Sequence, residues 1–166
     1  KKELKPNVDL AVLTSPFLGL AFAPPALKLI AAKVLRRIYA SLQIPMDLNP
    51  SMLSHDPRVV EAYVNDRLVH NKMTPQMFFE MQDAMNEVRK TAGPLGCPLL
   101  FLVPEADRIG DAEVTKQVFQ NLKHRYKEWV SFPGMYHELF NEVAHDTVDR
   151  VLIDWVQRKS NESKCR

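Results

Sequence analysis

Two side chains that could act together in catalysis each lie just beyond a predicted strand. Asp107 follows the apolar segment 98–103, and His137 follows segment 127–132 after a Pro-Gly turn. If the two strands are parallel, both side chains emerge at the same edge of one sheet, where open α/β sheets bind their ligands. A carboxylate that orients a histidine supplies two of the three members of a nucleophilic triad. The sequence therefore predicts an acid and a base at one sheet edge.

The third member, a nucleophile, has no recognisable motif in this chain. A serine nucleophile of an α/β enzyme sits in a Gly-x-Ser-x-Gly turn between a strand and a helix. None of the serines lies in that context: Ser15, Ser41, Ser51, Ser54, Ser131, Ser160 and Ser163. The acid also has one competitor, Asp111, but its position before a helical pattern is typical of an N-cap, as is that of Asp56 before segment 58–63. Glu138 is interpreted as a local hydrogen-bonding or capping residue.

The elements that must position these residues alternate between strands and helices. Strands are predicted over 8–14, 98–103 and 127–132, and helices over 26–41, 58–63, 76–91, 112–124 and 146–159. Short apolar strands separated by helices indicate parallel pairing through right-handed crossovers. We therefore predict an α/β fold in which a core strand within 1–15 precedes a helical insertion over 16–93. The C-terminal core over 94–166 then carries the acid and histidine loops.

A three-stranded parallel sheet of this kind leaves a bare edge, since parallel sheets are normally covered on both faces and continued by further strands. The chain also begins with a linker-like Lys-Lys-Glu-Leu-Lys-Pro and no initiator Met. We therefore expect more strands to come from sequence upstream of residue 1 or from another chain.

Two apolar stripes within the helical insertion allow alternative interpretations. In the first helix we favour ordinary packing of one face, and the alternative is a helix near a lipid surface or over an apolar pocket. The second stripe is typical of a core, although methionine-rich surfaces also suit adaptable apolar binding. The first stripe comprises Leu27, Ile30, Ala31, Val34, Leu35 and Ile38, and the second comprises Met77, Phe78, Met81, Met85 and Val88.

Composition disfavours several classes of function. A net charge of +2 over 166 residues gives no electrostatic argument for nucleic-acid binding. With only 5 glycines and no Gly-rich motif, a phosphate-binding loop is not expected. The remaining histidines show no paired ligand spacing, so neither a metal nor another cofactor is predicted. Cys97 and Cys165 are interpreted as reduced thiols, which indicates a cytoplasmic protein. Prolines and basic residues interrupt the most apolar region, 10–38, which is therefore not a membrane span.

Four sequence motifs occur together in an order that resembles a known family. They are Ser54-His55-Asp56-Pro57, Tyr63-x-Asn65-Asp66-x-Leu68-Val69-His70, the Asp107 stretch, and Pro133-Gly134-x-Tyr136-His137-Glu138. This set is similar to the C-terminal half of the monoacylglycerol lipase and lysophospholipase group of α/β-hydrolases, within the serine aminopeptidase-like superfamily. The resemblance extends from residue 8 to about residue 159. One departure is Pro104, because the family usually has a glycine three residues before its acid.

The resemblance implies a serine hydrolase that cleaves carboxylic esters of monoacylglycerol or lysophospholipid type. It implies that Asp107 is the catalytic acid and His137 the catalytic base. The nucleophile and oxyanion donors would lie upstream, in an N-terminal half that is missing or is a separate chain, so this chain alone is expected to be inactive. An upstream Asp nucleophile, as in epoxide hydrolases, also remains open. The competing interpretation is a non-catalytic relative that binds a lipid or a protein partner.

The resemblance further implies that the helical insertion is a cap over the active site. Such a cap would supply an apolar wall for an acyl chain and a peripheral contact with membranes. Candidate wall residues are Phe17, Leu18, Leu20, Phe22, Leu27, Met77 and Phe78.

Overall fold

The computed structural model describes residues 8–46, 48–91, 93 and 96–164, and these form alternating strands and helices. In chain order the elements are β1 (Ala11–Thr14), α1 (Ala26–Ile38), β2 (Ile44–Pro45), α2 (Pro57–Asn65), β3 (Lys72–Met73), α3 (Pro75–Thr91), β4 (Leu99–Pro104), α4 (Ala112–Asn121), β5 (Lys127–Phe132) and α5 (His145–Lys164). Single 3₁₀ turns cover Pro50–Met52 and Leu139–Asn141. The predicted α/β class is confirmed.

The main sheet has the strand order β1-β4-β5, and both pairings are parallel. The β4–β5 ladder continues to Pro104, which aligns with Phe132. Because the two strands end together, the loops that carry Asp107 and His137 leave the same edge of the sheet. The predicted placement of the two loops is therefore confirmed.

The central strand β4 is buried along its whole length and divides the core into two layers. Alternate side chains of a strand point to opposite faces, so a parallel strand covered on both faces is apolar throughout. Leu100 and Leu102 pack with Val148 and Trp155 of α5 on one face. The opposite face carries Leu99, Phe101 and Val103, which pack with Phe119 and Leu122 of the α4 region.

The predicted packing face of α1 is wrong. Leu27 is 79% exposed and Ile38 is 76% exposed, and Ile30 and Val34 are also exposed. The helix instead lies against α3 through the side that carries Arg36, whose guanidinium donates to Gln76 (2.9 Å) and Glu80 (3.1 Å). The face that packs against α3 therefore differs from the predicted apolar face and shares only Leu35 with it. The half-buried residues on the observed face are Leu29, Ala32, Leu35 and Arg36.

Other boundaries differ from the predictions for local reasons. Strand β1 begins at Ala11 rather than at residue 8, because its partner β4 begins at Leu99 and the ladder starts with that pair. The antiparallel β2–β3 pair was not predicted, since two-residue strands show no alternation. Within the methionine stripe of α3, Met85 is buried but Met77 is exposed.

The predicted caps and thiols can be compared with the structure directly. Asp56 and Asp111 accept hydrogen bonds from the backbone N–H groups of Arg58 and Val114, which confirms both as N-caps. Cys97 is a buried free thiol, while Cys165 lies outside the described residues. Over the ranges that the structure describes, no helix is both long enough and apolar enough to cross a bilayer.

Replacing the fully buried Leu100 by alanine should lower the free energy of unfolding by about 2–5 kcal/mol, because it leaves a cavity between β4 and α5. As a control, Leu68→Ala at a 91% exposed position should change it by less than about 0.5 kcal/mol. Chemical denaturation of each variant and of the wild-type protein measures both differences. Equal, small losses in the two variants would contradict the assignment of β4 to the core.

Candidate active site

The acid loop between β4 and α4 fixes the carboxylate of Asp107 before any partner is considered. One oxygen, Oδ1, accepts hydrogen bonds from the backbone N–H groups of Ile109 (2.8 Å) and Gly110 (3.0 Å). This tight local turn holds the side chain in one orientation. The second oxygen, Oδ2, is left to face the histidine loop.

The segment after β1 packs against the acid loop from the other side. Gly19 accepts from the N–H of Asp111 (3.0 Å), and Ile109 accepts from the N–H of Ala21 (3.0 Å). Space is tight here, because a Cβ added to Gly110 would lie 3.1 Å from Oδ2 of Asp107. A side chain at position 110 would therefore crowd the carboxylate of Asp107.

The histidine loop turns sharply at the end of β5. Gly134 has φ +75°, in the left-handed region that glycine adopts without strain. The loop is also held at its backbone, since Oγ of Ser15 donates to the carbonyl oxygen of His137 (2.5 Å). Ser15 itself has φ 44°, an uncommon conformation for a residue with a side chain. The residue that follows β1 therefore anchors the loop that follows β5.

Nδ1 of His137 lies 2.8 Å from Oδ2 of Asp107, so the two predicted residues are brought together. The Asp107 side chain is 4% exposed and the His137 side chain 20% exposed. A carboxylate accepts hydrogen bonds, so the contact favours the ring tautomer with its proton on Nδ1 and leaves Nε2 able to accept a proton. The hydrogen bond that His137 donates to Asp107 raises the pKa of His137, and burial opposes this rise only in part.

The departure at Pro104 does not disturb this geometry. Pro104 is the last residue of the β4 ladder and is buried. The next N–H, of Glu105, donates to the carbonyl oxygen of Phe132 (3.1 Å) and keeps the two strand ends together. The turn toward Asp107 therefore forms without a glycine at position 104.

An open cavity of about 530 Å³ is lined by the chain neighbours of Asp107 and His137, although not by these two residues themselves. Arg108 and Tyr136, the chain neighbours of the acid and the base, form one side, and the guanidinium of Arg108 lies 4.7 Å from the centre of the Tyr136 ring. The other side comes from residues 51–65, a part of the predicted cap that is hereafter named the cap segment. The full lining consists of Ser51, Ser54, His55, Pro57, Val60, Glu61, Val64, Asn65, Arg108 and Tyr136.

The seven predicted wall residues lie elsewhere. Phe17 and Leu20 are near the acid loop, where Leu20 pairs with Gly110. Phe22, Leu27 and Met77 are exposed, whereas Leu18 and Phe78 are half-buried. None of the seven lines the cavity beside Tyr136. Their role as an acyl-chain wall stays a prediction.

Other chemical groups near the site do not complete a triad. In the described part of the chain, no serine hydroxyl is hydrogen-bonded to the ring of His137. Glu138 accepts from the side-chain amide of Asn141 (3.0 Å), a local hydrogen bond of the kind expected. The ligand-like cluster of His145, Asp146 and Asp149 is an exposed group at the start of α5, in which His145 and Asp149 form an i,i+4 pair (3.1 Å).

The contacts between the cap segment and the histidine loop were not predicted from the sequence. The carbonyl oxygen of Leu53 accepts from the N–H of Glu138 (2.8 Å), and Oγ of Ser54 donates to the carbonyl oxygen of Asn141 (2.8 Å). Glu142, which drew no attention in the sequence, is a buried carboxylate in the same region. Ser54 and Glu138 belong to two of the motifs that carried the resemblance. The motif Ser54-His55-Asp56-Pro57 was therefore the feature of the sequence that could have indicated this contact.

Comparisons with known proteins agree with this geometry. A family model described as serine aminopeptidase, S33, matches residues 2–144. Phospholipase YtpA of Bacillus subtilis is 28% identical over 149 residues, covering 89% of this chain and 58% of that protein. A monoacylglycerol lipase of Mycolicibacterium smegmatis is 26% identical over 126 residues, covering 75% of this chain and 45% of that protein.

A solved structure gives the same result. The crystal structure of Paleococcus ferrophilus monoacylglycerol lipase superposes with a TM-score of 0.83 at 31% identity, over 92% of this chain and 60% of that one. The chain therefore spans less than two thirds of the length of each of these three relatives. The matched family model and the shared fold lead to one conclusion: the chain belongs to the serine aminopeptidase S33 family of α/β-hydrolases.

Proposed function

We propose that this chain carries the acid and base of a serine hydrolase that cleaves carboxylic esters of monoacylglycerol or lysophospholipid type. The observation that carries the proposal is the hydrogen bond between Asp107 and His137 at the carboxyl edge of the sheet. Two relatives support the substrate class, since one is named a monoacylglycerol lipase and the other a phospholipase.

In the proposed mechanism, Nε2 of His137 takes the proton of a serine hydroxyl as that oxygen attacks the ester carbonyl. The imidazolium then donates this proton to the leaving alcohol. Asp107 keeps the ring in the required tautomer and stabilises the positive charge, and its own orientation is fixed by the two backbone N–H groups on Oδ1. In deacylation, His137 activates a water molecule in the same way.

We further propose that the serine and the oxyanion donors come from an N-terminal half, either upstream in the same protein or in a separate chain. Two observations support this. The serines of the chain lack the nucleophile turn, and the chain spans 45–60% of three relatives. The isolated chain is then inactive. The competing function, a non-catalytic binding protein, would require that no such serine reaches His137.

The cavity beside Tyr136 is the proposed place for part of the substrate. It adjoins both members of the pair through their chain neighbours, and its lining mixes apolar side chains with hydroxyl, amide and charged groups. A site of this mixed character suits the polar end of an acyl ester and the first part of its chain. The exposed apolar face of α1 is proposed as the peripheral contact with lipid, since the basic residues Lys33 and Arg37 accompany Leu27, Ile30 and Ile38.

A fluorophosphonate probe should label the full-length protein, which includes the proposed N-terminal half, on one serine. It should not label the isolated chain.

In the full-length protein, His137→Ala should reduce ester turnover by about 10³-fold or more, because the general base is lost. His70→Ala, which alters an exposed histidine of the cap, is the matched control and should retain activity. Full turnover in His137→Ala would refute the proposed mechanism, and a full-length protein without any labelled serine would favour the binding function.

Asp107→Asn should lower the pKa of His137, because the hydrogen-bonded carboxylate that raises it is removed. The base must be unprotonated, so the acidic limb of the rate–pH profile should lie above the ordinary histidine value in the wild-type protein and move to lower pH in the variant. NMR titration of the ring and the profile of kcat/KM measure the two effects. Asp111→Asn preserves an N-cap and should leave both unchanged. If Asp111→Asn shifted the pKa of His137 and the acidic limb while Asp107→Asn shifted neither, Asp111 would be the acid.

Changing Leu27 and Ile38 together to serine should weaken sedimentation of the full-length protein with anionic lipid vesicles, because it removes apolar area from the exposed face of α1. Leu68→Ser at another exposed position is the control. Equal binding by the wild-type protein and the double variant would exclude α1 as the lipid contact.

A further inference from the structure

A second buried carboxylate, Glu142, lies behind the histidine loop and has no part in the triad chemistry. It follows the 3₁₀ turn Leu139–Asn141, and its side chain is 3% exposed. Glutamate is rarely buried to this degree unless it is fully paired. The contacts of Glu142 therefore indicate what its burial achieves.

Both oxygens of Glu142 are occupied by donors from two separate segments. Oε1 accepts from the backbone N–H of Tyr136 (2.7 Å) and lies 2.9 Å from Nδ1 of His55. Oε2 accepts from the backbone N–H groups of His55 (3.2 Å) and Val143 (3.2 Å). Burial by itself would raise the pKa of Glu142, but these hydrogen bonds outweigh it and the pKa is lowered. The group is thus a charged link between the cap segment and the residue before His137.

Further contacts fasten the same two segments together. The ring of His55 stacks on the ring of Tyr136 with 3.6 Å between centroids. The N–H of Glu138 donates to Leu53 of the cap segment (2.8 Å). Tyr136 and Glu138 flank His137 in the chain, so the base is held on both sides by residues that the cap segment contacts. The carbonyl oxygen of His137 is fixed separately by Ser15.

We propose that Glu142 is a positioning residue that holds His137 against Asp107 by tying the histidine loop to the His55 turn of the cap. The inference deepens the proposed function, on which it rests for the role of His137 as the base. It makes the position of His137 relative to Asp107 depend on a contact with the cap. The effect is indirect, because it passes from His55 through Glu142 to the backbone of Tyr136. A shift of the His55 turn would loosen the backbone at Tyr136 and the imidazole that follows it.

Glu138 is the alternative carboxylate on this loop, and its contacts do not suit the role. Its Oε2 accepts from Asn141, three residues away on the same segment. Its effect on the pKa of His137 is through charge and not through a hydrogen bond. Of these two carboxylates, Glu142 alone joins the loop to the cap segment.

The test replaces Glu142 by glutamine in the full-length protein and follows both the ring of His137 and ester turnover. The amide retains one acceptor oxygen but places an NH₂ group against N–H donors, so the link to Tyr136 or His55 breaks. We expect the pKa of His137 to fall toward its ordinary value, as measured by NMR. We also expect kcat to fall by up to about 10²-fold with little change in KM, as displacement of a catalytic group by about 1 Å does. Glu113→Gln, at an exposed glutamate of α4, is the matched control and should change neither value.

His55→Ala provides a second variant should Glu142→Gln fail to fold. It removes the ring contact to Oε1 and the stack on Tyr136 but keeps the backbone N–H, so the same two changes are expected at smaller size. A variant that melts at lower temperature yet keeps the His137 titration and kcat of the wild-type protein would overturn the proposal, since that is the behaviour of a purely structural residue. If the wild-type protein hydrolyses no ester, the proposed function fails, while the NMR titration still decides whether Glu142 positions His137.

Discussion

The hydrogen bond between Nδ1 of His137 and Asp107 requires two loops, 30 residues apart in sequence, to meet within 2.8 Å. That meeting is possible because β4 and β5 run parallel and their ladder ends at the pair Pro104 and Phe132. The register of the ladder is in turn fixed by apolar burial on both faces of β4, since a shift of one residue would exchange the two core layers. The position of the acid and base thus depends on the packing of the central strand.

Asp107 and His137 are then each held by contacts that do not involve the other. Two backbone N–H groups hold Asp107, Ser15 holds the carbonyl oxygen of His137, and Glu142 holds the residue before it. Preorganisation of this kind lowers the cost of reaching the reactive geometry, since the groups need not be ordered during the reaction. These contacts come from the residue after β1, from the acid loop and from Glu142 beyond the histidine, so the site is assembled from residues far apart in the chain.

The features that the sequence predicted correctly are those with a strong local pattern. Segment 127–132 contains Trp129, Val130 and Phe132 and is followed by Pro-Gly, and the structure has β5 at the same residues. Asp56 and Asp111 precede helices in the way that caps do. The face of α1 was predicted wrongly because periodicity counts apolar residues, whereas Arg36 selects its face through hydrogen bonds to α3. The link made by Glu142 could not be found from spacing, because its partner His55 lies 87 residues earlier in the chain.

The most direct test of the proposed triad is a crystal structure of the full-length protein after reaction with a serine-directed phosphonate. The modified serine oxygen should lie within about 3.2 Å of Nε2 of His137, the reach of a proton transfer, while Nδ1 keeps its contact with Asp107. A label on a serine distant from His137, or an Asp107 carboxylate that has left the ring, would contradict it.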